Sequence, residues 1–454
     1  MEAELFERHA DRPCLVDGGR TLTYSQTLAL GRRLTAGLPA RALVMLQCSL
    51  TAESVAAHAA LMADGHVPLL VEADLADELA AALAAAYRPH AVIDPAAGTR
   101  EDGPGTELHG DLGLLLATSG STGSPKLVRH TARGMRANAG AIAEYLAIGP
   151  EERALLSLPM SYSYGLSVVH SHLVAGACLV LTRASVMEPG YWEALAAGRA
   201  TSVAGVPFHY QALRRFAAKL ETPDLRTLTQ AGGRLDPKAV AWFAGWAAER
   251  GRRFVVMYGQ TEAGPRIAWL PPDRAAEAPD AIGVPIPGVT VELLDEDGRA
   301  VPDGTPGEMV VTSPAVMMGY ARSAADLALG DAHGGRLATG DMAVRGPDGL
   351  LRVTGRRSRM LKIYGLRLDL DEVERRLAAE GFAAACFGED DRMRVLLEAG
   401  DPAAARARIT ALFSLPPRGV EVRAAEALPR APSGKVAAAG LAAAWEAAGA
   451  GGAR

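Results

Sequence analysis

Residues 112–126 read Leu112-Gly113-Leu114-Leu115-Leu116-Ala117-Thr118-Ser119-Gly120-Ser121-Thr122-Gly123-Ser124-Pro125-Lys126. An apolar run of strand length passes into a stretch made only of glycine and hydroxyl residues, which closes on Pro125 and Lys126. Leu112–Ala117 therefore predicts a buried strand, and 118–126 a loop at its end. Glycines let successive amides approach an anion closely, so backbone N–H groups, hydroxyls and the Lys126 ammonium converge on a place shaped for a polyphosphate. Taken alone, such a cluster is more often a surface turn. It is also not the ordinary P-loop, which needs Gly before the lysine and a hydroxyl residue after it, where this chain has Pro125 and Leu127.

Working outward, 127–130 reads as a short strand, and Thr131 is placed to cap a helix running to about Tyr145. Residues 1–110 alternate alanine-rich helical stretches with short apolar runs at 42–46, 66–71 and 90–93, the pattern of α/β layering. Within it, Thr23-Tyr24-Ser25 precedes a helix expected over 26–38, and Asp74 is a candidate cap for another over 75–87. Downstream, the run from Leu156 breaks into an aromatic, hydroxyl-rich turn containing Tyr162 and Ser163. A second run, 227–235, ends in the pair Gly232-Gly233 and Arg234. A third, 254–262, ends Tyr258-Gly259-Gln260-Thr261-Glu262. With the opening loop, the last two runs give three strand ends that carry polar turns. Ligands of open α/β sheets bind outside the carboxyl ends of strands, so these ends are expected to line one crevice.

From Gly283 to Leu351 the chain turns to short β-like runs split by Asp/Gly turns, which suggests a small β subdomain at about 283–355. Asp341 lies within it, in Ala338-Thr339-Gly340-Asp341. A strongly basic stretch, 355–365, then precedes an acidic helix over 369–379, and a second domain is expected to begin there. Pro429-Arg430-Ala431-Pro432-Ser433-Gly434-Lys435 places a lysine on a turn bracketed by proline and glycine.

Bulk properties narrow the function classes. With 454 residues the chain is long enough for two to four structural units, and 49% hydrophobic with 22% charged residues describes a globular protein. A net charge of −5 gives no electrostatic footprint for nucleic acid. Cys14, Cys48, Cys178 and Cys386 form no C-x-x-C pair, so reduced, buried thiols are expected rather than a zinc site or disulfide framework. His170, His172 and His209 lack the carboxylate partners of a metal site and read as packing residues. No run approaches the roughly 20 apolar residues of a membrane span, and the charged start is unlike a signal peptide, so no membrane span and a cytoplasmic location are expected.

Taken in order, T-S-G-S-T-G-S-P-K, Y-G-Q-T-E, T-G-D, G-R-R-S-R-x-x-K-I-Y-G and P-x-x-P-S-G-K resemble the motifs of the adenylate-forming superfamily of acyl-CoA synthetases, peptide-synthetase adenylation domains and luciferases. The resemblance implies an α/β fold with a large N-terminal domain, 1–356, of two α/β subdomains plus a small β-barrel. A small mobile α+β domain, 357–454, would follow, hinged near 355–358. It also implies a carboxylic acid ligase that uses ATP and Mg2+ to make an acyl-adenylate, then passes the acyl group to a thiol. That thiol is first coenzyme A, next the phosphopantetheine arm of a separate acyl carrier protein, because too little chain follows Lys435 for a fused carrier. An amide-forming ligase, a non-catalytic nucleotide- or acyl-binding relative and a conventional phosphotransferase are the other readings.

By the same resemblance Thr118, Ser119, Gly120, Ser121, Thr122, Gly123 and Lys126 hold the β- and γ-phosphates, Thr261 the α-phosphate and Glu262 the magnesium ion. Tyr258, with Gly259 and Gln260 beside it, stacks on adenine, while Gly232, Gly233 and Arg234 border the base. Asp341 takes the ribose hydroxyls and Arg356 adds a donor nearby. Lys435 bridges the attacking carboxylate and the α-phosphate, and Lys362 and Gly365 line an acceptor channel. The acid pocket falls near Tyr162, Ser163 and His209. Amino-acid-activating relatives carry an aspartate where Ser163 stands, so an acid with an uncharged or aromatic chain is expected here. Ser358 stands at the hinge, where relatives usually carry Asp or Lys.

Overall fold

The computed structural model describes residues 3–117, 126–363, 366–389, 391–413, 415–430 and 436–450. By internal contacts the chain divides into two units. Unit 1 holds Met1–Glu292, Val310–Thr339 and Asp348–Leu351, and unit 2 holds Leu293–Met309, Gly340–Pro347 and Arg352–Arg454.

The alternation of helices with short apolar runs produces two large sheets in unit 1. The nine-stranded sheet has the order Val284–Pro285, Ala268–Leu270, Arg253–Tyr258, Thr227–Gln230, Ser202–Gly205, Arg153–Leu156, Cys178–Leu181, Pro13–Asp17, Arg20–Thr23. Arg253–Tyr258, Thr227–Gln230, Ser202–Gly205 and Arg153–Leu156 are successive parallel neighbours. Helices cover both faces of such strands, so they read as continuous apolar runs rather than alternating ones. Thr227–Gln230 and Ser202–Gly205 are buried throughout. Parallel pairing also brings all four carboxyl ends to one edge, where the loops after Leu156, Gly205, Gln230 and Tyr258 emerge side by side.

The seven-stranded sheet runs Gly319–Ala321, Leu127–Thr131, Leu112–Ala117, Val67–Glu72, Leu43–Cys48, Ala91–Asp94, Thr99–Asp102. The expected strand Leu112–Ala117 is buried except at its last residue, and it pairs antiparallel with Leu127–Thr131. Helix Ala132–Tyr145 follows with Thr131 as its cap, whose hydroxyl accepts from Gly134 N at 2.9 Å. Two helices differ from expectation. Tyr24–Leu34 has the capping box of Thr23 and Gln26 but stops at Thr35, short of 38. Asp77–Tyr87 starts after Ala76, because the turn from Leu75 N to Glu72 O keeps the preceding residues out of helix, and Asp74 caps nothing. Among the strands of 283–355, Thr290–Leu294, Gly307–Thr312, Arg336–Arg345 and Leu351–Arg356 form a sheet of their own, whereas Val284–Pro285 and Gly319–Ala321 edge the two large sheets.

Unit 2 contains the ribbon Met360–Ile363 with Leu366–Asp369 and a three-stranded sheet of Ala383–Glu389, Arg392–Ala399 and Val420–Ala424. The acidic helix is Leu370–Ala379, and its Leu370, Val373 and Leu377, spaced for one helical face, pack with Cys386, Val395 and Ile409. All four cysteines are free and buried. Among the described residues no helix is long and apolar enough to cross a membrane.

His170 and His172 are packing residues of the buried helix Ser163–Val174. His170 Nε2 lies 2.8 Å from His58 Nε2 of helix Ala52–Ala63, and His172 Nδ1 donates to Val168 O at 2.8 Å. Burial disfavours the imidazolium, holding His58 at about 3 and both His130 and His172 at about 4. Below about pH 6.5 the unfolded chain takes up protons that these native histidines refuse, so stability is full above that value and falls as pH drops toward their folded values. Each group contributes a loss of about 1.4 kcal/mol per pH unit in that window. Denaturant titrations at pH 7.5 and 5.0 should show a clear loss of unfolding free energy at the lower pH, and equal values would contradict the burial of neutral imidazoles.

Candidate functional site

Beyond Tyr258 the chain leaves the nine-stranded sheet through Gly259 and Gln260 into a single turn, Thr261–Ala263. A Cβ at Gly259 would stand 2.2 Å from Pro265 O, so this close return of the chain needs glycine. The turn carries Glu262 to residues of the other sheet. Its carbonyl accepts from Met317 N at 2.8 Å, and its Oε1 accepts from the Tyr320 hydroxyl at 2.9 Å. On the ring of that same tyrosine, Lys126 Nζ lies 3.6 Å from the centroid. The ring quadrupole attracts the ammonium. Burial and the neighbouring carboxylate push the Tyr320 phenol up, which keeps it protonated and donating.

Tyr320 escaped the sequence reading. Its place is set by the pairing of Gly319–Ala321 with Leu127–Thr131, which aligns Tyr320 with Val128 nearly two hundred residues away, and no local pattern encodes that. The only trace is a Gly-Tyr pair closing an apolar run.

The expected crevice takes shape around Thr261. Its Oγ1 donates to Ser163 Oγ at 3.1 Å, and Ser163 opens the helix Ser163–Val174 with Tyr162 at the cap position. Gly232 has φ +77°, and a Cβ there would stand 2.3 Å from the Tyr162 hydroxyl oxygen, so the glycine turn fits directly beneath the tyrosine. Gln230 Nε2 donates to Gly233 O at 2.8 Å and fixes that turn. Arg234 is exposed beside it. His209 sits in helix Pro207–Arg215, where burial lowers its pKa. His209 Nδ1 and Gln260 Nε2 are among the buried side-chain atoms that have no hydrogen-bond partner within the described residues. Tyr258, half-buried, closes the list on this rim.

In unit 2, Asp341 is 4% exposed on the strand Arg336–Arg345, and Arg356 Nε pairs with its Oδ1 at 2.9 Å. Lys362 lies on Met360–Ile363, in register with Arg367. Thr118, Ser119, Gly120, Ser121, Thr122, Gly123, Gly365 and Lys435 lie outside the described residues. The residues in place suit the expected cofactors. Magnesium binds oxygen, keeps most of its shell as water and phosphate, and asks the protein for one or two carboxylates, which Glu262 can supply. An aromatic face at Tyr258 beside open glycine backbone suits a purine, and an unpaired amide at Gln260 offers it a hydrogen bond.

Residues 100–321 match the family model described as AMP-binding enzyme. The chain is 29% identical over 386 residues to the probable non-canonical nonribosomal peptide synthetase CymA of Salinispora arenicola, covering 81% of this chain and 5% of that protein. It is 28% identical over 383 residues to the sulfoacetate–CoA ligase of Cupriavidus necator, covering 82% of this chain and 72% of that one. The match thus spans a small part of the first relative and most of the second. The o-succinylbenzoate CoA synthetase of Bacillus subtilis, solved with its acyl-adenylate, shares the fold at a TM-score of 0.75 with 21% identity, over 96% of each chain. The match over residues 100–321, the two extended similarities and this fold all agree with the resemblance to the adenylate-forming superfamily that the five ordered motifs carry.

Proposed function

We propose that the protein is an AMP-forming acid–thiol ligase. The observation that carries this reading is the meeting of Lys126 and Glu262, delivered from different sheets, on the two sides of Tyr320, next to the Thr261–Ser163 contact. A lysine, a carboxylate able to hold magnesium and a hydroxyl within one cleft are what a triphosphate and an acid require when two anions must be brought together.

A carboxylate oxygen of the acid attacks the α-phosphorus of ATP, and the bond to the β-phosphate bridging oxygen breaks, releasing pyrophosphate. Thr261 donates to the α-phosphate. The loop 118–126 cradles the outer phosphates, with Lys126 held by Tyr320. Glu262 would hold a magnesium ion, which would supply charge neutralisation on the phosphates. Tyr258, Gly232, Gly233 and Arg234 receive the base, and Asp341 with Arg356 the ribose, the carboxylate accepting both hydroxyls because it offers only lone pairs. Lys435, on a mobile domain 357–454 that turns about Ser358, bridges the two anions as a compact charge. In the second half-reaction a thiol sulfur attacks the acyl carbon and AMP leaves, with Lys362 and Gly365 along the acceptor channel. Coenzyme A is the first acceptor, in a cytoplasmic setting. A separate acyl carrier protein is the second reading, supported by the extended similarity to a peptide synthetase.

Acid-dependent ATP–pyrophosphate exchange over fatty, aromatic, dicarboxylic and amino acids tests the reading. Lys435→Ala should lose about 100-fold or more in exchange, as when one preorganised charge-stabilising donor is removed, while still consuming supplied acyl-AMP. Equal losses in both half-reactions would refute the division of labour. Tyr320→Phe keeps the ring under Lys126 and deletes the hydroxyl on Glu262. Its apparent magnesium requirement should therefore rise by about 10-fold, as for loss of a partner that orients a metal ligand, with a smaller change in the KM for ATP. An unchanged magnesium titration would remove Tyr320 from this role.

A further inference from the structure

We infer that the acid activated here is a short one whose tail ends in a second anionic group, received by Arg266 in a buried cavity beside the Thr261–Ser163 contact. The inference rests on the ligase reading and names its substrate class. Within unit 1, a cavity of about 20 Å³ lies between the nine-stranded sheet and the helices Ala132–Tyr145 and Ser163–Val174. Tyr164, Thr229, Met257 and Arg266 line one end. The Tyr164 ring lies 6.3 Å from that of Tyr162, and the Arg266 charge bears on the Tyr162 hydroxyl, so this end adjoins the residues around Ser163.

Arg266 is 3% exposed. Its contacts among the described residues are all with neutral groups: Nη1 donates to Pro265 O at 2.6 Å, Nε to Met257 Sδ at 3.4 Å, and the guanidinium lies 4.1 Å from the Tyr164 ring centroid. Its charge also bears on the buried Tyr145 hydroxyl. A buried guanidinium without a counter-ion is costly, and a carboxylate or sulfonate offers it the planar, charged partner it is built to bind. The other end of the cavity is different. There Glu152 is buried and accepts from the Thr201 hydroxyl, at the amino ends of the strands. Thr227 and Thr229 both line the wall, so the two ends stand about 7 Å apart along that strand. An acid with its reacting carboxylate at Thr261 therefore places its tail in the half that Arg266 lines.

Size adds a second restriction. About 20 Å³ accommodates one or two water molecules, which suits a compact anionic group a few bonds from the reacting carboxylate and not a long or aromatic chain. The uncharged chain suggested by Ser163 is revised accordingly. Ser163 reports the missing ammonium partner, whereas the charge of the pocket resides in Arg266, four residues after Glu262.

The test compares acids matched in length, butyrate with succinate and valerate with glutarate, together with benzoate and the cationic 4-aminobutyrate, in pyrophosphate exchange. Thermal melting with each acid plus AMP provides a binding readout independent of turnover. Succinate or glutarate should exceed its monoacid by at least about 10-fold in kcat/KM. Arg266→Met should bring that ratio close to one through KM, and Arg266→Lys should recover part of it. A wild-type preference for monoacid, benzoate or 4-aminobutyrate, or an unchanged ratio in a folded Arg266→Met, would overturn the inference. Absence of exchange with every acid would count against the ligase reading instead. In that case diacid-dependent stabilisation of wild type, lost in Arg266→Met, would uphold the anion site, and its absence would overturn it.

Discussion

Tyr320 joins the two large sheets at the place where their chemistry meets. Its ring carries the Lys126 ammonium, which belongs to one sheet's loop, and its hydroxyl holds the Glu262 carboxylate, which hangs from the other sheet's strand. Tyr320 meets the cation with its ring quadrupole and the anion with a hydrogen bond, the arrangement on which the proposed triphosphate and metal site rests. The edge strand Gly319–Ala321 is therefore more than a structural trim: moving it by one residue would turn Tyr320 to the opposite face and dismantle the arrangement.

Around this bridge the site is built by strand polarity. Four parallel neighbours end along one edge, and each delivers a short, specialised turn: Tyr162 and Ser163 after the first, His209 after the second, the glycine pair after the third, and Tyr258 to Glu262 after the fourth. The glycines at 232 and 259 serve by the absence of side chains, since a Cβ at either would strike a neighbour that shapes the cleft.

The interior behind the cleft is unusually polar for a helix-covered sheet. His58 and His170 share a short contact with burial holding both neutral, His172 donates to its own helix, and Arg266 stacks on Tyr164. Each of these histidines bonds a protein group through one ring nitrogen, and burial keeps it neutral. Arg266 differs in that its partners are neutral and a cavity lies against it, which is why its charge points to a ligand.

Local sequence determined much of this protein. The apolar run before Thr118 specifies its strand, Thr131 its helix cap, and the ordered motifs a family resemblance, because strand burial, capping and close backbone approach each depend on residues adjacent in the chain. It also marked Glu262, Thr261, Asp341 and Gly232 by residue type and turn context. Tertiary structure alone decided which sheet each edge strand joined, since an edge strand pairs with whatever backbone lies open beside it, and the pattern of 283–355 does not encode the partner. The same holds for Tyr320 and Arg266. A tyrosine in a Gly-Tyr pair and an arginine in an apolar stretch have no local signature of function, and their roles arise when distant strands set one against a lysine and a carboxylate and enclose the other without a counter-charge.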